Sequence, residues 1–148
     1  MNPNEEVFHL STKALIRNSE GKILVLQCNT KDVRWDLPGG RVQKNESEEE
    51  SLRREVQEEI GVKELFRITP FVMCKSPIRF FVQSNEVGLI VAAYLCEVAD
   101  TNSIQMSNEH RGFVWAEPKL AAELLGDQFP EELKRKMSEL SEFSSMRG

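Results

Sequence analysis

Apolar positions along the chain fall into short blocks separated by turn signals, and the spacing within each block changes from one to the next. Residues 7–17, VFHLSTKALIR, and 22–28, KILVLQC, have strand-like composition and flank the turn signal NSEG at 18–21, which predicts a β-hairpin. Residues 29–46 read as irregular, punctuated by Pro38, Gly39 and Gly40. Leu52, Val56 and Ile60 then recur every fourth residue and predict one apolar stripe on a helix. Ser47 fits the N-cap of that helix, with Glu50 completing a capping box and Gly61 supplying the stop. Two further blocks, 66–74 (FRITPFVMC) and 87–98 (VGLIVAAYLCEV), read as strands. The second is nearly continuous in apolar residues, as a central strand should be. A short strand at 111–117 precedes helices at 118–125 and 130–140, the latter with Pro130 placed for a first turn. Strands interspersed with helices give the α/β (α+β) class, with helices packed on a mixed sheet. No repeat or linker divides residues 1–148, so a single domain is expected.

Composition narrows the class. Hydrophobic residues make up 40% and charged residues 29%, which reads as a soluble, globular chain. No apolar run reaches the roughly 20 residues of a membrane span. The start, MNPNEEVFHL, lacks the basic and apolar segments of a secretory signal. Cys28, Cys74 and Cys96 are widely spaced and odd in number, which points to a reducing, cytoplasmic setting with the thiols acting as small hydrophobes.

The net charge of −5 argues against nonspecific nucleic-acid binding, and its distribution is uneven. Residues 46–59 hold seven glutamates against Arg53 and Arg54, so this one segment accounts for the whole excess. On a helical wheel Leu52, Val56 and Ile60 span about 80°, while Glu55, Glu58 and Glu59 occupy a separate arc of about 100° beside them. These carboxylates crowd a helix C-terminus, where cations are preferred, and Glu55 and Glu59 repel at i,i+4. Taken alone, such a face reads as solvated. A cluster of hard oxygen ligands at the edge of a buried stripe also suits Mg²⁺ or Mn²⁺, which would offset both penalties. Arg54 is placed to brace Glu58 from the adjoining side.

The wider order decides between these readings. From Gly40 the chain runs through Glu46, Arg54-Glu55-Val56 and Glu58-Glu59 to Gly61-Val62 with the spacing that defines the Nudix box, and WDLPGG precedes it. In these residues the chain resembles the Nudix hydrolase family. The resemblance implies an α/β/α sandwich, a mixed β-sheet packed between helices. It also implies hydrolysis of a nucleoside diphosphate linked to another group. By the same resemblance Glu55, Glu58, Glu59 and the backbone carbonyl of Gly39 would hold the metal. Glu58 or Glu59 would act as base. Arg54 would orient the glutamates, and Glu46 and Gly40 would support the loop. Many relatives use a further glutamate from a distant loop. Glu109, in SNEHRG, is the candidate here, with Glu86 second, and His110 is expected at the surface.

Substrate choice lies outside the box. Trp35, Phe80 and Phe81 are the candidates to stack on a base, with core packing as the alternative. Arg34, Lys44, Lys75 and Arg79 are candidates to meet outer phosphates, and Trp115, in an apolar strand, is assigned to the core. Relatives that cleave dinucleoside polyphosphates often carry a Tyr where this chain has Ile78, Arg79 and Phe80. ADP-ribose-cleaving relatives often have a Pro at the spacing of Pro77. The compact chain looks more like the group that hydrolyses nucleoside triphosphates to the monophosphate and pyrophosphate. Monomer and homodimer both stay open.

Overall fold

The computed structural model describes residues 2–146, with side chains described through residue 140. Seven strands and three helices follow in the order β1 (Phe8–Ile16), β2 (Ile23–Cys28), β3 (Trp35–Asp36), β4 (Gly39–Arg41), α1 (Glu48–Ile60), β5 (Leu65–Val82), β6 (Asn85–Val98), β7 (His110–Ala116), α2 (Pro118–Leu125) and α3 (Glu131–Met146). The strands form a mixed four-stranded sheet, β4-β1-β6-β5, and an antiparallel three-stranded sheet, β3-β2-β7. In the first, β1 and β6 run parallel while β4 and β5 flank them antiparallel.

The alternation of side chains along a strand explains why helices cover both faces. On β1, Ala14 and Ile16 face one core and Leu15 the other; on β2, Leu24 and Leu26 are divided from Ile23 and Val25 in the same way. One core collects Leu52, Val56 and Ile60 of α1, all with no exposed surface. The other collects Ala121 and Leu125 of α2 with Leu133 and Met137 of α3. Strands that are apolar on both faces need this α/β/α layering.

Four expectations change. The predicted hairpin is only a turn: Asn18 accepts from Gly21 and Lys22 across it, and a single bridge joins Arg17 to Ile23. Beyond that bridge β1 and β2 separate into different sheets, because β4 and β6 occupy both edges of β1. The irregular segment 29–46 contains β3 and β4, strands too short to carry a pattern. The strand read at 66–74 extends to Val82 and forms a long hairpin with β6 through Gln83 and Ser84, both at positive φ. The helix at 130 starts one residue later than expected, and Pro130 precedes it, accepting from the amide of Lys134 at 3.2 Å. β6 is interior, as expected, and Trp115 packs against the α1-side core.

Candidate metal centre and substrate cleft

The site begins with how α1 is held. The Ser47 hydroxyl accepts from the Glu50 amide at 3.1 Å, and the Glu50 carboxylate accepts from the Ser47 amide at 3.2 Å, which closes the capping box. Gly61 ends the helix in the left-handed region at φ 71°. The last carbonyls of α1 are not left to water. Ile60 and Glu59 accept from the amides of Gln105 and Ser107, each at 2.9 Å, so the loop before β7 is fastened to the end of the helix that carries the glutamates.

The three carboxylates occupy graded environments. Glu59 is buried at 8% exposure and accepts from the Gly39 amide at 3.0 Å. Burial pushes its carboxyl up to about 8, against the pull of that amide and of Lys13. Glu55 is half-buried and takes Arg54 Nη1 at 2.9 Å. Glu58 is exposed and receives the same nitrogen at 3.3 Å. Arg54 is itself fixed by a fork on Glu46: Nε to Oε2 at 2.6 Å and Nη2 to Oε1 at 3.1 Å. Nη2 also reaches the Arg41 carbonyl at 3.3 Å. That fork holds the Glu46 carboxyl down at about 2. Glu46 also accepts from the Gln43 amide at 2.8 Å, which ties the loop to the brace.

The paired glycines are explained by contact. A Cβ on Gly40 would lie 2.5 Å from the Glu55 carboxyl, and one on Gly39, at φ 146°, would strike the Thr12 carbonyl oxygen. Neither position admits a side chain without displacing the glutamate or β1. The result is a set of hard oxygen donors on one helix, one buried, one braced and one open to solvent, whose three carboxylates do not gather within 4.8 Å of one another in this structure. This donor set fits Mg²⁺ or Mn²⁺.

Beside Gly40 opens a cleft of about 560 Å³, lined among others by Lys13, Arg34, Asp36, Arg41 and Phe80. Phe80 lies under the Arg41 guanidinium at 4.7 Å, with the His9 ring edge-on at 5.4 Å. Of the expected substrate contacts, Arg34 and Phe80 therefore line the cleft. Trp35, a candidate to stack on a base with core packing as the alternative, packs against the α2/α3-side core. Its neighbour Asp36 faces the cleft, as alternation on a strand requires. Phe81 is 73% exposed for the same reason. Arg79, expected at the phosphates, is held by Glu6 at 2.7 Å and Glu86 at 2.8 Å beside a separate hollow, which accounts for Glu86 as well. Lys44 is exposed on the loop before α1, and Lys75 pairs with Glu6 at 3.7 Å. Glu109 is exposed on the turn after the loop fastened to α1, and its backbone carbonyl accepts from Asn29. His110, expected at the surface, is half-buried at the start of β7 opposite Cys28.

Sequence reasoning missed Lys13, Asp36, Arg41 and Gln128. Lys13 carried a signal, a lone cation inside the apolar block of β1. Its ammonium binds Asp36 Oδ1 at 3.0 Å and the Leu37 carbonyl at 3.3 Å. Gln128, which donates to the Trp35 carbonyl at 3.0 Å, gave none.

Residues 7–137 match the pattern of the NUDIX domain. The chain is 27% identical to the CTP pyrophosphohydrolase of Escherichia coli K12 over 73% of its own length and 76% of that protein's. It is 29% identical to the nucleoside triphosphatase NudI of Escherichia fergusonii, covering 71% and 79%. The crystal structure of a MutT protein from Methanosarcina mazei Go1 superposes with a TM-score of 0.64 at 25% identity, over 95% of this chain and 97% of that one.

Proposed function

From the premise that this chain belongs to the NUDIX family of hydrolases acting on pyrophosphate bonds, we propose that it is a divalent-metal-dependent nucleoside triphosphate pyrophosphohydrolase with a single domain, whose family match spans residues 7–137. The products are the nucleoside monophosphate and pyrophosphate. The observation that carries this reading is the braced set of Glu55, Glu58 and Glu59 on α1, with Glu55 packed against Gly40 on the lining of a cleft that combines cations with an aromatic face. The two relatives named for hydrolysing nucleoside triphosphates or CTP support the substrate class.

Glu55, Glu58 and Glu59, with the Gly39 carbonyl, would hold Mg²⁺ or Mn²⁺. When bound, the ion offsets the phosphate charge and acidifies a water. Glu58, the glutamate open to solvent, is placed to take the proton of the attacking water, and Glu109 is the alternative base from the turn beyond. Arg54 positions Glu55 and Glu58 and is itself fixed by Glu46. Gly40 leaves the space that Glu55 occupies. Arg34 and Arg41 meet the outer phosphates, and Phe80 stacks on the base.

The test is product analysis with Mg²⁺ on ribo- and deoxyribonucleoside triphosphates, ADP-ribose and diadenosine polyphosphates. Monophosphate and pyrophosphate from one or more triphosphates, with weaker turnover of the others, is the expected result. Preferred cleavage of ADP-ribose or a dinucleoside polyphosphate would overturn the substrate assignment, and no turnover of any would mark a binding module.

A further inference from the structure

We propose that Cys28, Asp36 and His110 form a second metal site, suited to a borderline-soft divalent ion of the Zn²⁺ class, on the sheet wall of the cleft. One ligating atom from each residue lies within 4.8 Å of the other two. The antiparallel sheet assembles them from three strands: Asp36 of β3 pairs with Leu26, and His110 of β7 pairs with Cys28, on the shared central strand β2. Leu26 and Cys28 are two residues apart, the spacing that puts side chains on one face. A register shift between Gln27 and Cys28 is the kind of irregularity that re-aims side chains at functional positions.

Two observations separate this cluster from a chance meeting of polar residues. Nδ1 of His110 is buried and has no hydrogen-bond partner among the described residues. Buried polar atoms without a partner are rare and call for an occupant. The described hydrogen bonds to Asp36, from Lys13 and from the Leu37 amide, both fall on Oδ1, which leaves Oδ2 to ligate. Ligands about 2.0–2.3 Å from a tetrahedral zinc lie roughly 3.3–3.8 Å apart, so the three close on an ion by side-chain shifts of about an ångström.

The donor types decide the ion. One thiolate, one imidazole and one carboxylate select zinc-like ions over Mg²⁺, whereas the all-carboxylate set on α1 selects the reverse. Binding forms the sulfur–metal bond as the Cys28 proton leaves to solvent, and the imidazole binds in its neutral form. Three protein ligands leave a fourth position open, and Cys28 and Asp36 both line the cleft, so that position faces the substrate space. Lys13, 3.0 Å from Asp36, opposes the charge of the ion and limits affinity.

Cobalt(II) titration of the full chain in excess Mg²⁺ tests the site, because a thiolate ligand gives a sulfur-to-cobalt charge-transfer band. One equivalent should produce the band in the wild type and in the double variant Glu55→Gln/Glu58→Gln, so the result is independent of the hydrolase reading. Cys28→Ser should abolish it, His110→Gln should weaken binding tenfold or more, and Lys13→Met should tighten it. As a check that needs no variant, Zn²⁺ should protect Cys28 from alkylation while Cys74, also half-buried, serves as internal reference. No band in the wild type, a band that survives Cys28→Ser, or equal alkylation with and without Zn²⁺ would overturn the proposal.

Discussion

Two sides of the cleft are built in opposite ways. The α1 side, which reaches the cleft where Glu55 packs on Gly40, takes its three carboxylates from one helix over five residues, so helical spacing sets their relation and Arg54 and the Gly39 amide hold them. The sheet wall takes Lys13, Cys28, Asp36 and His110 from four strands in two sheets, and only the register of those sheets brings them together. A site spaced by one helix takes its internal geometry from local sequence, whereas a site set by register depends on the whole fold. The difference also divides the chemistry: all-oxygen donors on the helix, mixed sulfur, nitrogen and oxygen on the sheet.

The largest effect that separates the walls is expected on turnover. Glu58→Gln should lower kcat by about 10²–10⁴-fold, the usual weight of a group that moves a proton in the reaction. Its side chain is 59% exposed, so the thermal unfolding curve should stay in place. A stable variant with wild-type turnover would remove α1 from the chemistry. Next comes the brace. Arg54→Ala leaves Glu46 and Glu55 without their partner and should cost about 10–100-fold in activity, as loss of a supporting group around metal ligands does. Unlike Glu58→Gln, it should also lower Tm, and an unchanged Tm would show that the fork is idle.

Stability against pH sharpens the contrast further. In the metal-free protein Glu59 has its folded pKa raised from the ordinary 4.5 to about 8. Its contribution is therefore fully present below pH 4.5 and is lost as pH rises through about 8, at up to about 1.4 kcal/mol per pH unit. Denaturant unfolding in chelator between pH 5 and 8 should show that decline, and Glu59→Gln should remove it. A decline that persists in Glu59→Gln would assign it to another group. The smallest effects concern neighbours on β5. Phe80→Ala should raise KM about tenfold, within the range for losing one base–aromatic stack. Phe81→Ala, 73% exposed, should leave KM within about twofold. Equal effects from the two would sink the stacking role.

The same contrast explains what was legible in the sequence. Ser47, Glu50, Leu52, Val56, Ile60 and Gly61 all stand in the structure as their spacing predicts, because caps and an apolar stripe are local. The hairpin does not form because β1 pairs with residues 26 to 80 positions away, Arg41 and Gly88 among them, and nothing in VFHLSTKALIR records that choice. Trp35 and Asp36 show the finer limit. Strand alternation says they face apart, but not which faces the cleft, and β3 is too short to reveal it. Arg79 was misplaced because its partners Glu6 and Glu86 meet it only in the folded sheet. His110 reads as exposed within a polar loop, yet it is half-buried at the start of β7, where it pairs with Cys28.

The proposed function requires that the α1 carboxylates, and not the sheet wall, hold Mg²⁺. Calorimetric titration of Mg²⁺ into the wild type and into Glu55→Gln/Glu58→Gln tests it directly, since the sulfur-containing cluster does not favour so hard an ion. Saturable binding in the wild type that disappears in the double variant is the predicted result. Mg²⁺ binding of equal strength in both proteins would contradict it.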